Sequence, residues 1–303
     1  MKTTRWGGPW TKAKLEAFVK YVNAYLTIMN KNRDKYNWKL IYFDGFAGSG
    51  DVLIKSNSEI KEKKTISLLQ EIDELEKYSG YKGAAERVLD IKQKGFDYYY
   101  FIDTDEVASN KLEKKLKPYK KDYMDFCFRI DDANNQIRKM AEFLKQDNKH
   151  KSLVFLDPFG MNIEWASIEC LKGTSTDLWV LIPSGVVINR LLKCNGEILN
   201  PDKMCSFFGL TENELQTEFY KKEESLTLFG ETTEVKKYSE PLQRIANLCR
   251  KRLKTIYKYV TKPLPLKNSK NNTIYHFIFA SNNKSAHKIA DQIIIKNQCV
   301  HRK

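Results

Sequence analysis

Four aspartates, each closing a short apolar run, stand where this sequence could do chemistry. The first is Asp44, which follows Leu40–Phe43 and opens Asp44-Gly45-Phe46-Ala47-Gly48-Ser49-Gly50. A glycine-rich turn after a strand lets a ligand pass close to backbone. A phosphate-cradling loop needs Lys and then Ser or Thr after its last glycine. Here Asp51 and Val52 stand in those places, and a carboxylate repels phosphate. A dinucleotide fingerprint needs a third glycine three residues on, where Leu53 stands. S-adenosylmethionine asks for something else. Its methionyl ammonium calls for a carboxylate, and its adenosine must slide past backbone without side chains. Asp44, Gly48 and Gly50 supply these, with Phe46, Ala47 and Ser49 completing the wrap. The plainer alternative is a tight turn with no ligand.

The other aspartates fit the same ligand. Asp103 ends the run Tyr98–Ile102, where a carboxylate accepts from both ribose hydroxyls. Asp131-Asp132 ends Phe126–Ile130, and Asp132 is placed to accept from the adenine amino group, with Asp131 as the alternative. Asp157-Pro158-Phe159-Gly160 closes Leu153–Leu156. In amino-methylating enzymes this place holds Asp or Asn, two prolines and an aromatic. The carboxylate and the proline carbonyl hold the target amino group, and the aromatic stacks on its base. Asp157, Pro158 and Phe159 are therefore the candidate catalytic residues, although Phe159 stands where a second proline is expected. The competing account is a strand-ending turn with Phe159 packed beneath it.

Periodicity supplies the elements that position these groups. Leu15, Phe18, Val19, Val22, Leu26 and Met29 recur at three- and four-residue steps, which predicts a helix over Trp10–Met29. Strands are predicted at Leu40–Phe43, Tyr98–Ile102, Phe126–Ile130, Leu153–Leu156 and Asp177–Ile182. Helices are predicted between them at Gly83–Lys94, Val107–Leu116 and Ile137–Lys145, and a charged helical insertion at Ile66–Tyr78. Alternation of this kind means a mostly parallel α/β sheet with ligands at the carboxyl ends of its strands. The organisation expected is a Rossmann-like core over 1–193, a polar helical cap over 194–240 with a capping box at Thr211–Glu214, and a basic part over 241–303 that completes the sheet. Two late strands, Ile256–Thr261 and Ile274–Ala280, precede a final helix.

Charge points to a partner. The chain has 303 residues and a formal net charge of +14. A protein this basic usually meets a polyanion, nucleic acid first. Residues Pro241–Ala290 contain eleven Lys or Arg and no Asp or Glu. Arg250, Arg252, Lys254 and Lys258 form a candidate stripe for phosphates, with Tyr257 or Tyr259 to stack on a base. The alternative is a solvated face balanced by the acidic segment Glu212–Glu234. The six cysteines, Cys127, Cys170, Cys194, Cys205, Cys249 and Cys299, form no Cys-x-x-Cys pair, so no metal site is expected. No apolar run approaches the ~20 residues that span a membrane, and a cytoplasmic protein is expected.

In order and spacing, Asp44–Gly50, Asp103, Asp132 and Asp157–Phe159 resemble class I S-adenosylmethionine-dependent methyltransferases. With Trp10 and its helix, Tyr42–Gly50, Phe101–Asp103, Phe155–Gly160 and the late strand Tyr275–Ser281, the chain more narrowly resembles the three-Cys-motif partner family. That resemblance implies a methyltransferase-like fold with an antiparallel strand near the C-terminus. It also implies a neighbouring partner protein that carries the three-cysteine motif, often in mobile or phage-linked settings. The long charged stretch Asp51–Gly80 departs from the pattern. Two functions follow as expectations. One is methyl transfer to an exocyclic amino group of a DNA or RNA base. The other is a non-catalytic nucleic-acid-binding subunit on the same fold.

Overall fold

The computed structural model describes residues 9–50, 82–158, 160–227 and 230–300. The helical reading of Ile66–Tyr78 therefore lies outside the described residues. A long helix, α1 (Pro9–Tyr36), leads into β1 (Lys39–Asp44). Then follow α2 (Ala84–Leu89), β2 (Tyr98–Asp103), α3 (Glu106–Leu116), β3 (Asp125–Ile130), α4 (Ala133–Gln146), β4 (His150–Leu156), α5 (Trp165–Glu169) and β5 (Thr176–Ile182). The C-terminal third holds α6 (Pro201–Phe208), α7 (Glu212–Phe219), β6 (Tyr220–Thr227), β7 (Gly230–Lys237), α8 (Pro241–Leu253), β8 (Tyr259–Val260), β9 (Leu264–Lys267), β10 (Thr273–Ser281) and α9 (Lys284–Val300).

Eight strands form one sheet in the order β3-β2-β1-β4-β5-β10-β8, with β9 beside β10. The first five are mutually parallel, and β10 runs antiparallel to β5. This is a Rossmann-like α/β fold with its antiparallel strand near the C-terminus. Strand order reverses between β1 and β4, so their carboxyl ends diverge into a crevice, the usual ligand position in such sheets. Asp44 ends β1 and Asp157 follows β4, so both open into it.

Helix α1 covers one face of the sheet because its apolar stripe is aromatic. Phe18 stacks on Phe155 with centroids 4.2 Å apart, and Tyr21 packs against Trp179 and Phe279 at 5.5 and 4.6 Å. Such pairs contribute roughly 0.5–1.5 kcal/mol each beyond the area they bury. Across this interface Asp177 accepts from Tyr21 Oη at 2.6 Å and from Ser281 Oγ at 2.5 Å, joining α1, β5 and β10.

Helix α1 runs past the predicted Met29 to Tyr36, and α2 stops at Leu89 rather than Lys94; two further elements differ in kind from the periodicity. The segment 194–240 is helical only in its first half, where α7 carries the expected Thr211–Glu214 capping box. Its second half is a two-stranded antiparallel hairpin, β6–β7, separate from the main sheet. The late edge strand is also shorter than Ile256–Thr261: it breaks into β8 and β9, with Pro263 between them and Pro265 within β9. Proline donates no ladder hydrogen bond, so an edge is where it is tolerated. Among the described residues, no helix is long and apolar enough to cross a membrane.

Candidate functional site

The glycine turn is pinned at three points. Gly45 N–H donates to Phe155 O at 3.0 Å, and Ala47 N–H to Ile102 O at 2.9 Å. Gly48 N–H donates to Asp103 Oδ2 at 2.8 Å. The turn thus spans the ends of β4 and β2 above β1. Gly48 and Gly50 take left-handed φ angles of 59° and 65°, which favour glycine. They differ in surroundings. Among the described residues, a Cβ on Gly48 would meet nothing within 4 Å, whereas one on Gly50 would strike Leu112 Cδ1 at 2.7 Å. Gly48 therefore borders space that no described residue fills, and Gly50 is a packing glycine. Lys115 Nζ holds Gly50 O at 2.5 Å and pairs with Glu86 at 2.6 Å. A Cβ on Gly83 would lie 3.5 Å from Gly50 Cα, so the described chain returns to the point it left.

Asp44 lies beneath this turn, 2% exposed. Its carboxylate accepts from Tyr42 Oη at 3.1 Å and Phe46 N–H at 3.3 Å. Burial, and next the charge of Asp157, push its pKa up to about 7. Asp44 is thus poised between its neutral and ionised forms near neutral pH, beneath the turn rather than in solvent. Asp103 is half-buried, and each of its oxygens takes one backbone donor, Gly48 N–H and Asp105 N–H. It braces the turn at the rim of the space beside Gly48.

The pair at the end of β3 divides its labour differently. Asp132 is the N-cap of α4 and accepts from Asn134 N–H at 2.7 Å. Asp131 is held well below the usual carboxylate range by donors from Gln136, Asp132 N–H, Asn135 and Lys139. Both carboxylates have local partners, and only Asp132 is exposed.

Asp157 carries the most distinctive geometry. Its Oδ2 forms an ion pair with Lys14 Nζ, from the first turns of α1. Its Oδ1 is buried and has no hydrogen-bond partner among the described residues. A buried carboxylate oxygen without a donor is costly, of order 1–3 kcal/mol, and calls for an incoming hydrogen-bond donor. Lys14 is 3% exposed and sits 5.1 Å from the Trp10 ring centroid. Trp10 in turn lies on Tyr275 of β10, with centroids 4.6 Å apart. Pro158 is buried; Phe159 lies outside the described residues. Asn134 braces the following segment. Its Nδ2 donates to Asn162 O at 3.0 Å, and its Oδ1 accepts from Glu164 N–H and Ser167 Oγ.

Lys14 and Asn134 escaped the motif reading. Lys14 did leave a signal: Trp10, Ala13, Lys14, Ala17, Phe18 and Tyr21 share one helical stripe, and a lysine on such a stripe is rarely buried unless paired.

The basic stripe lies elsewhere. Tyr259 is level with Ser281 on β10, and the neighbouring Ala280 is level with Leu178, near the start of β5. Lys254 and Lys258 therefore sit at the amino-terminal edge of the sheet, away from Asp44 and Asp157. Both are exposed. Arg250 Nε donates to Thr261 O at 3.0 Å. Arg252 donates to Phe208 O and Gly209 O, and its guanidinium lies over Trp165 at 4.7 Å. Lys251 pairs with Glu218 at 2.7 Å, so the acidic segment partly balances this helix. Tyr257 is 1% exposed and cannot stack on a base, contrary to the expectation; Tyr259 is half-buried.

No family model matches the chain, and a search of curated proteins gives no match. Among solved structures the chain is similar to protein LPL1258 from Legionella pneumophila, described by the family model DUF519. The identity is 16% and the TM-score 0.38, over 88% of this chain and 96% of that one. The Rossmann-like assignment rests on strand order and register.

Proposed function

We propose that this protein transfers a methyl group from S-adenosylmethionine to an exocyclic amino group of a nucleic-acid base. One observation carries the reading: at the β1/β4 crevice, an open left-handed glycine turn stands beside a part-buried carboxylate whose buried oxygen has no partner among the described residues. The open space at Gly48 fits a ligand passing along backbone. Asp44 places negative charge beneath it for an ammonium group, and Asp103 offers remaining lone pairs at the rim for hydroxyls. Asp132, or Asp131, would serve the adenine end. When bound, the cofactor supplies an electrophilic methyl group on a sulfonium.

The chain's own residues position the acceptor. Lys14 holds Asp157 Oδ2, which leaves Oδ1 for an N–H of the target amino group. A second N–H would meet the Pro158 carbonyl, and Phe159 would stack on the base. Such positioning directs the nitrogen lone pair at the methyl and supplies much of the rate in direct transfer. Lys14 is a positioning residue here, because it acts through Asp157. A three-Cys-motif neighbouring protein is the proposed partner, on the strength of the sequence resemblance.

A second reading is a non-catalytic nucleic-acid-binding subunit. The Lys14–Asp157 ion pair favours it, because the pair neutralises the carboxylate without a substrate. Calorimetry with S-adenosylmethionine and S-adenosylhomocysteine separates the two. Micromolar binding of both supports the enzyme, and no binding of either supports the subunit. Mass spectrometry of nucleosides after co-expression with the neighbouring gene then identifies the methylated base.

A further inference from the structure

A second groove, part apolar and part polar, opens at the carboxyl edge of the sheet, beside the crevice. β10 begins at Thr273, and His276 is already level with Ile182, the last residue of β5. The β9–β10 turn therefore projects past the parallel strands on the side where Asp157 lies. Between this turn, the start of α1 and the end of α9 is a cavity of about 360 Å³. Trp10, Ala13 and residues 264–266 give it an apolar side, Lys267, Asn268, Ser269, Asn271 and Gln298 a polar one, and among the described residues no carboxylate lines it. Trp10 connects the two sites, because Lys14 lies against its ring and against Asp157.

We propose that this groove is a subsite for a nucleotide flanking the target base on a single strand. The inference rests on the methyltransfer reading and gives it a substrate path. The volume falls within the range of small-molecule pockets, ~300–1,000 Å³, and so admits one nucleotide. Side-chain amides present both donors and acceptors, as base edges do. Lys267 is exposed at the rim, where a phosphate would lie.

The turn is also built before any ligand arrives. Asn268 Oδ1 accepts from Lys270 N–H and Asn272 N–H, both at 3.0 Å, and Asn268 N–H donates to Asn272 O at 2.9 Å. Asn271 adopts a left-handed φ of 63°, a conformation asparagine tolerates. Lys267 Nζ donates to Asn271 Oδ1 at 3.0 Å, which holds the cation over the turn. Side-chain amides and one lysine on a built turn, facing apolar side chains on which a base can lie, suit a single strand better than the opposite edge. There Arg250 and Arg252 are already tied to backbone carbonyls.

The test uses the full chain and fluorescein-labelled hexamers of adenylate, one ribo- and one deoxyribo-, in fluorescence anisotropy. Lys267→Ala combined with Gln298→Ala is expected to raise Kd at least tenfold. Loss of one phosphate contact should flatten the log–log salt slope by about 0.7. Affinity for S-adenosylmethionine should stay within twofold. Ser269→Trp, which fills the groove, is the second variant and should weaken binding likewise. Lys254→Ala combined with Lys258→Ala, at the other edge, should leave Kd within twofold. A preference for the ribo- or deoxyribohexamer identifies the source of the strand. Groove variants that bind like wild type overturn the subsite, as does loss of binding confined to the Lys254/Lys258 variant. A wild-type chain that binds neither hexamer also overturns it. S-adenosylmethionine calorimetry reports on the cofactor reading independently.

Discussion

Asp157 is held by one partner and left short of another, and that asymmetry can be measured. Lys14→Met would strand a part-buried carboxylate without its cation, a change that costs ~3–5 kcal/mol where a pair is fully buried and less here. Asp157→Asn removes the charge instead. The double variant should therefore be more stable than Lys14→Met alone in urea denaturation; equal stabilities would show that the ion pair carries no weight. On activity the two should differ. Asp157→Asn should keep S-adenosylmethionine affinity within twofold and lower methyl transfer at least ~100-fold, the scale of losing one transition-state hydrogen-bonding group. Asp44 adds a pH signature. With its pKa near 7, an ammonium group bound above it favours the ionised form. Affinity for S-adenosylmethionine should be nearly full at pH 8 and fall about tenfold between pH 8 and pH 6. A flat calorimetric profile from pH 6 to pH 8 would remove Asp44 from the cofactor site.

At the scale of elements, the Tyr21–Asp177–Ser281 contact ties α1 to both β5 and β10. Burial raises the Asp177 pKa to about 6, although the two hydroxyl donors oppose the shift. Because the folded-state value is raised, the associated stability is complete below about pH 4 and lost as pH rises through about 6. A shift of this size corresponds to about 3 kcal/mol. Asp177→Asn removes the ionisable group. Its melting temperature relative to wild type should therefore rise from pH 4 to pH 7 in thermal scans; a pH-independent difference would refute the account. The legibility of these elements in the sequence follows from what each one buries. β1, β4 and β5 were readable as near-continuous apolar runs, since both their faces are covered, and β2 as an aromatic run closed by Asp103. The hairpin Tyr220–Lys237 was not, because lysines and glutamates fill it and hide the two-residue period. β9 was masked by Pro263 and Pro265. Lys14 meets Asp157 across 143 positions, a distance no local pattern encodes. Asp132 was legible only as a strand-ending carboxylate, although a capping role accounts for the same residue.

For the whole molecule, the two edges of one sheet have different characters. The carboxyl edge gathers the glycine turn, Asp157, Lys14 and the amide turn, while exposed lysines of the α8–β8 corner lie at the other. Charge counted along the chain pointed to the second edge; only strand register shows which groups share an edge. The contact between Gly50 and Gly83 has a consequence for how the chain tolerates change. Whatever intervenes between two adjoining points is closed at an entropic cost that grows only with the logarithm of its length, about 0.6 kcal/mol per doubling. The sheet should therefore be nearly indifferent to chain length at this junction. Replacing residues 52–80 with a short Gly-Ser bridge should leave the melting temperature within a few degrees and the far-ultraviolet circular dichroism per residue little altered. A collapse of either would show that the excised stretch holds the core together. If the variant folds, this junction becomes a port through which a foreign domain can be grafted beside the crevice, and its movements read out at the glycine turn.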